Sequence, residues 1–161
     1  LKITNYRQNI RPSDPDAITE IVQGSGFFSA AEIALARELA EERLEQGEKC
    51  SYRFVFAEDN ERMVGYTCYG LIPATAGSFD LYWIAVIPSL RSQGTGKRLL
   101  EKTEGIIRGL GGRKIYAETS SRPQYEPTRQ FYEKCGYLAE AVLRDFYAPE
   151  DSKIIYAKTL I

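Results

Sequence analysis

Arg91-Ser92-Gln93-Gly94-Thr95-Gly96-Lys97 puts two glycines, three uncharged polar residues and two cations into seven positions. Glycine lets a backbone turn tightly and bring its N–H groups up to a ligand. A helix starting directly behind such a turn has first-turn amides without intrahelical acceptors, and the positive end of its dipole faces the turn. Together these make an anion cradle, and phosphate is the usual occupant. In front stands Ile84-Ala85-Val86-Ile87-Pro88, an apolar strand stopped by proline; behind it Leu99 and Leu100 open a helical stripe.

The other candidates for chemistry are acids and phenols. The 161 residues contain no histidine, which excludes Ser-His-Asp and Cys-His catalysis and argues against a transition-metal site. Cys50, Cys68 and Cys135 lack metal-ligand spacing and suit free thiols in a reducing compartment. Proton transfer therefore falls to carboxylates, tyrosines, lysines or water. With 21 basic against 22 acidic residues, a net charge of −1 and no long basic run, neither nucleic acid nor a membrane surface is expected as partner. No apolar run approaches the ~20 residues of a membrane span. No leader segment is expected, and the expected location is cytoplasmic.

These residues need elements to hold them. Lys2 to Arg7 alternates as a first edge strand, and Asp14 as N-cap with Pro15 behind it predicts a helix to about Gln23. Ser29 and Glu32 form a capping box for a second helix, with Ile33, Ala36, Leu39, Ala40 and Leu44 on its apolar face and Gly47 at its end. Arg53–Glu58 and Met63–Leu71 read as a hairpin around Asp59-Asn60-Glu61-Arg62, followed by a central strand, Asp80–Ile87. Leu99, Leu100, Thr103, Ile106, Ile107 and Leu110 stripe the helix behind the Gly turn, and Lys114–Thr119 completes a strand–helix–strand unit expected to be parallel. A short helix from Pro127 to Cys135 and two strands, Tyr137–Phe146 and Ile154–Leu160, close the chain. The expected class is α+β: a mixed, mostly antiparallel central sheet with one parallel β-α-β crossover and about four helices, in a single domain over 1–161.

Three readings compete for the turn. A nucleotide P-loop fails because Arg98 follows Gly96-Lys97 and Arg91 occupies the first Gly position. A dinucleotide fingerprint has Gly94 and Gly96 but Leu99 in the third place, and no further strand–helix–strand units follow for a Rossmann-type NAD-dependent enzyme. The third is Arg/Gln-x-x-Gly-x-Gly behind a strand ending Val-x-Pro, which is present. With Phe131-Tyr132-Glu133-Lys134-Cys135-Gly136-Tyr137 downstream, the chain resembles the GCN5-related N-acetyltransferase (GNAT) superfamily over its whole order of elements. The tail, Leu143 to Tyr147 and Ile154 to Tyr156, is similar, less specifically, to the branch that acetylates protein N-termini, ribosomal proteins included.

The resemblance implies an acetyl-CoA-dependent N-acetyltransferase acting directly on a primary amine, small-molecule or peptide, without a metal. Ile84, Ala85 and Val86 would pair with the pantetheine arm, and Ser92, Gln93, Gly94, Thr95, Gly96 and Lys97 would hold the pyrophosphate, with Arg91 and Lys97 adding charge. Tyr132 would donate a proton to the leaving thiolate. An amine acceptor is mostly charged at neutral pH, at a pKa of about 8 to 10, so a base is needed. Glu118, at the C-terminal end of its strand, is the candidate, and Asp80 with Tyr82 is the alternative. Tyr116, on the Glu118 face, and Tyr147 complete the substrate-side candidates. A non-catalytic acyl-CoA-binding module is the rival reading, and the resemblance is compatible with a homodimer.

Overall fold

The computed structural model describes residues 1–26 and 28–161. Its elements are β1 (Asn5–Arg7), α1 (Asp14–Gly24), α2 (Ala30–Gln46), β2 (Arg53–Asp59), β3 (Arg62–Leu71), β4 (Ser78–Val86), α3 (Thr95–Gly109), β5 (Lys114–Ser120), α4 (Glu126–Lys134), β6 (Leu138–Ala148) and β7 (Asp151–Thr159). Short 3₁₀ turns occupy Gly47–Lys49, Pro88–Leu90 and Pro123–Tyr125. The strands hydrogen-bond in the order β1-β2-β3-β4-β5-β7-β6. The β4–β5 pair is parallel, as the crossover predicts, and the four helices around a mixed sheet are the expected class. Two compact units emerge: Leu1–Gly70 with Trp83–Gly105, and Leu71–Tyr82 with Ile106–Ile161.

In the first unit β2 and β3 pair antiparallel from Arg53↔Tyr69 to Asp59↔Arg62. Phe54 to Ala57 and Met63 to Gly70 are buried without alternation, the pattern of strands covered on both faces. Ile18, Ile21 and Val22 of α1 and Ala36, Leu39 and Ala40 of α2 supply the helical side of that core. The α2 capping box forms as predicted: Glu32 N–H donates to Ser29 Oγ at 3.1 Å and Ser29 N–H to Glu32 at 3.0 Å. Asp14 behaves differently from the N-cap expected of it. The helix begins at Asp14 with Ser13 as an N-cap that makes no side-chain bond. The Asp14 carboxylate instead accepts two bonds from Arg7, both 2.9 Å, and one from the Arg11 N–H. A guanidinium fork outcompetes a lone helix amide for a carboxylate.

In the second unit Ser78–Leu81 lie parallel to Lys114–Ala117, β5 runs antiparallel to β7, and β6 closes against β7. The last hairpin is longer than its apolar residues suggest. β7 starts at Asp151, not Ile154, and β6 runs to Ala148. Between Leu143 and Ala148 the register slips, with Asp145 at φ 54°, a bulge that re-aims the residues around it.

Candidate functional site

In the first unit the chain leaves β4 at Val86, and Ile87 N–H donates to Val64 O at 2.9 Å. Gly65 lets the two strands come this close. A Cβ there would stand 2.9 Å from Ala85 O, 3.2 Å from Val86 Cγ2 and 3.4 Å from Leu99 Cδ2, so any side chain would push the end of β4 away from β3. Ile84 and Ala85 are half-buried and Val86 buried. Pro88–Leu90 makes a 3₁₀ turn anchored by buried Leu90. The backbone then takes two left-handed steps, Ser92 at φ 61° and Gly94 at φ 75°, and α3 begins at Thr95. The first backbone acceptor is used by Arg98, whose N–H donates to Gly94 O at 3.0 Å. Among the described residues the N–H groups of Ser92 through Lys97 reach no backbone carbonyl. Ser92, Gln93, Gly94 and Lys97 are exposed, Gly96 is half-buried and Thr95 is buried beneath them.

This turn fits a phosphate group: amides that reach no backbone carbonyl among the described residues at a fifteen-residue helix start, with exposed Arg91 and Lys97 beside them. Lys97 is 3.8 Å from Glu101 in an exposed pair, a contact weak enough to give up. Arg98 also belongs to this site. Its guanidinium donates to Gln93 O at 3.3 Å and Thr95 Oγ1 at 3.4 Å, strapping the turn to the helix behind it. Sequence reasoning weighed only Arg91 and Lys97 for charge; the signal for Arg98 was its place four residues after Gly94.

The second unit gathers most of the acceptor-side candidates. Asp80 on β4 is in register with Tyr116 on β5, and Glu118 lies two residues further along the same face. Glu118 is not alone: Lys153 Nζ stands 2.9 Å from its Oε2. The same ammonium lies 3.7 Å from the Phe146 ring centroid and 5.8 Å from that of Tyr147, two rings packed edge-to-face at 5.0 Å on the β6 bulge. Burial first, then the charge of Glu118, pushes the Asp80 carboxyl above its ordinary value, and Lys153 pulls the other way. Tyr82 is exposed at the edge of this unit. Lys153 and Phe146 were missed because the sequence starts β7 at Ile154, which leaves Lys153 in a turn, and shows no sign of the bulge.

Tyr132 stands in a second group, on α4, with Phe131, Tyr137 and Tyr156 at centroid distances of 5.6, 5.5 and 5.8 Å. It is 5% exposed, and burial raises its phenol well above the ordinary value. Among the described residues its hydroxyl has no hydrogen-bond partner, whereas neighbouring Tyr156 donates to Glu133 at 3.1 Å. Elsewhere, a cavity of about 560 Å³ opens beside β1, lined by residues 5–9 and Arg11. Its Arg7 and Arg11 are matched by Asp14 and Glu58, which leaves no charge there for an anion.

The model of the acetyltransferase (GNAT) family matches residues 17–137. A GNAT-family protein from Desulfovibrio desulfuricans subsp. is 44% identical in a solved structure, with a TM-score of 0.95 over 98% of this chain and 99% of that one. An aminoglycoside 6'-N-acetyltransferase solved with coenzyme A is 22% identical, TM-score 0.76, over 98% of both chains. The ribosomal-protein-S18-alanine N-acetyltransferase from Escherichia coli is 21% identical, TM-score 0.73, over 97% of this chain and 94% of that one. At these last two identities the likeness is one of fold. No curated protein matches.

Proposed function

The chain belongs to the acetyltransferase (GNAT) family, and from that premise we propose that it moves an acetyl group from acetyl-CoA directly to a primary amine, as a single N-acetyltransferase domain over 1–161. The observation that carries this reading is the turn at Ser92–Lys97, whose amides reach no backbone carbonyl among the described residues and whose backbone is left-handed at Ser92 and Gly94. The fold neighbour holding coenzyme A supports the same ligand for it. Two neighbours are named for acceptors as different as an aminoglycoside and a ribosomal-protein alanine. What those acceptors share is an amine, and that is the class proposed.

Acetyl-CoA supplies the activated acyl group; the residues of the chain hold it and move protons. Ser92 to Lys97 bind the pyrophosphate through backbone N–H groups, with Arg91 and Lys97 adding charge. Ile84, Ala85 and Val86 offer backbone partners to the pantetheine arm, and an N–H at Ala85 or Val86 stabilises the oxyanion. Tyr132 gives the thiolate its proton. Glu118 and Asp80 draw the cationic acceptor, Glu118 as the candidate to take its proton and Asp80 as the alternative, with Tyr82, Tyr116 and Tyr147 as surrounding aromatic surface.

The test is acetyl-CoA turnover against a panel of small-molecule, polyamine, amino-sugar and peptide amines, with coenzyme A affinity measured by calorimetry. Turnover on at least one amine is expected, with a loss of about 10²–10⁴-fold in Tyr132→Phe. Coenzyme A binding without turnover on any amine would replace this reading with a non-catalytic acyl-CoA-binding module.

A further inference from the structure

The acceptor-side cluster holds three charges where the transfer needs one base. Lys153 enters it from β7 with its side chain 13% exposed and its ammonium 2.9 Å from Glu118. The β6 bulge places the Phe146 ring 3.7 Å from that ammonium. An ammonium enclosed between a carboxylate and a ring has lost much of its hydration and stays because both contacts persist. Glu118 Oε2 is therefore held by a cation of its own chain although the Glu118 side chain is 48% exposed, and an incoming amine reaching that oxygen would compete with Lys153. Asp80, half-buried on the same face, has no salt bridge among the described residues. The groups facing Asp80 are Tyr116 and Glu118 of β5 and Lys153 of β7. Lys114, next along that face of β5, is taken up by Glu140 at 2.9 Å and by the Tyr116 ring.

We infer that Lys153 is a positioning residue that holds Glu118 in an ion pair and leaves Asp80 as the carboxylate that takes the acceptor's proton. This rests on the acetyl-transfer reading and assigns the base within it. The acceptor ammonium gives one proton to Asp80, and its lone pair forms the C–N bond to the acetyl carbon as the C–S bond breaks. The second proton leaves nitrogen for solvent. Tyr132 protonates the sulfur and is reprotonated from solvent, and Asp80 passes its proton on to solvent, so one proton is released per turnover. The raised Asp80 carboxyl agrees with this division, since a base works best with its pKa nearer the working pH.

The test is a ¹³C-carboxyl titration of Asp80, assigned with Asp80→Asn, alongside the pH profile of kcat/KM for a panel amine that turns over. Lys153→Gln should move the Asp80 titration and the acid limb of the profile to higher pH together, by roughly half a unit or more. Glu118→Gln should move both to lower pH, because it removes a like charge and leaves Lys153 in place. Lys153→Arg, which keeps the cation, should restore the wild-type positions. Asp80→Asn should cost about 10²–10⁴-fold in kcat/KM, and Glu118→Gln much less. A Glu118→Gln loss equal to or larger than that of Asp80→Asn would overturn the assignment of the base. Turnover with an unmoved Asp80 titration in Lys153→Gln would overturn the role of Lys153 while leaving acetyl transfer intact. No turnover on any amine would remove both.

Discussion

Tyr132 shows how much a single side chain's surroundings decide. In the proposed role of general acid it must hold its proton until the leaving group needs it, and a phenol walled in by Phe131, Tyr137 and Tyr156 does so because burial penalises the phenolate. Its hydroxyl has no protein partner among the described residues, so a ligand atom can become that partner. Tyr132→Phe keeps the ring packing and removes only the proton, so kcat should fall about 10²–10⁴-fold while the coenzyme A Kd from calorimetry stays unchanged. The raised pKa also has a consequence for stability. Folding holds the Tyr132 proton more tightly than the unfolded chain, whose phenol titrates near 10. Stability is therefore fully present below about pH 10 and lost as pH rises above it. Tyr66, raised in the same way by complete burial, adds to this slope. Urea midpoints measured from pH 8 to 11 should fall in the upper part of that range, and less steeply in Tyr132→Phe.

At the scale of elements, the cradle is a property of how β3, β4 and α3 meet. Gly65→Ala would drive a methyl into Ala85 O and toward Leu99, costing about 1–3 kcal/mol as overpacking does. It should also weaken coenzyme A binding, because it moves the end of β4. Thr103→Val loosens the same helix by removing the buried 2.8 Å contact with Thr67, without touching β4. It should lower the melting temperature yet leave coenzyme A affinity alone, and equal affinity losses in the two variants would show that Gly65 acts through stability only. The cradle was legible in the sequence because its signals are local: Pro88 stops a strand, Gly94 permits a left-handed step, and Leu99 and Leu100 begin a stripe. The α2 cap was legible for the same reason, Ser29 and Glu32 being three residues apart. Asp14 was misread because its partner, Arg7, lies on another element. Lys153 was missed because its place depends on a strand pairing with Ser120 and on a β6 bulge that no glycine announces. Local chemistry reads from a window of residues; cross-strand chemistry reads only from register.

Across the whole chain, charge is nearly balanced, 21 basic residues against 22 acidic, so what matters is where the charges are buried. The first unit is tied together by one deep ionic group. Glu58, 1% exposed, accepts from Asn5 at 2.8 Å and Arg7 at 3.1 Å. Arg7 also lies 4.4 Å from the Phe56 ring and holds Asp14, so β1, β2 and the start of α1 are joined through one guanidinium. Asp14 sits beside the buried face of α1, and Glu58 follows the β2 register shift at Ala57/Glu58. Neutralising Glu58 leaves Arg7 with Asp14 alone and weakens the charge-assisted bonds from Asn5 and Arg7, each worth about 1.5–3 kcal/mol. A domain this size has roughly 5–15 kcal/mol in all, so Glu58→Gln should take a large part of it and move the urea midpoint far down. The exposed pair of Arg37 with Asp16 is screened by solvent and salt, and Arg37→Gln should leave the midpoint nearly unmoved. A Glu58→Gln midpoint as little changed as that of Arg37→Gln would mean that apolar burial alone holds β1 and α1 in place.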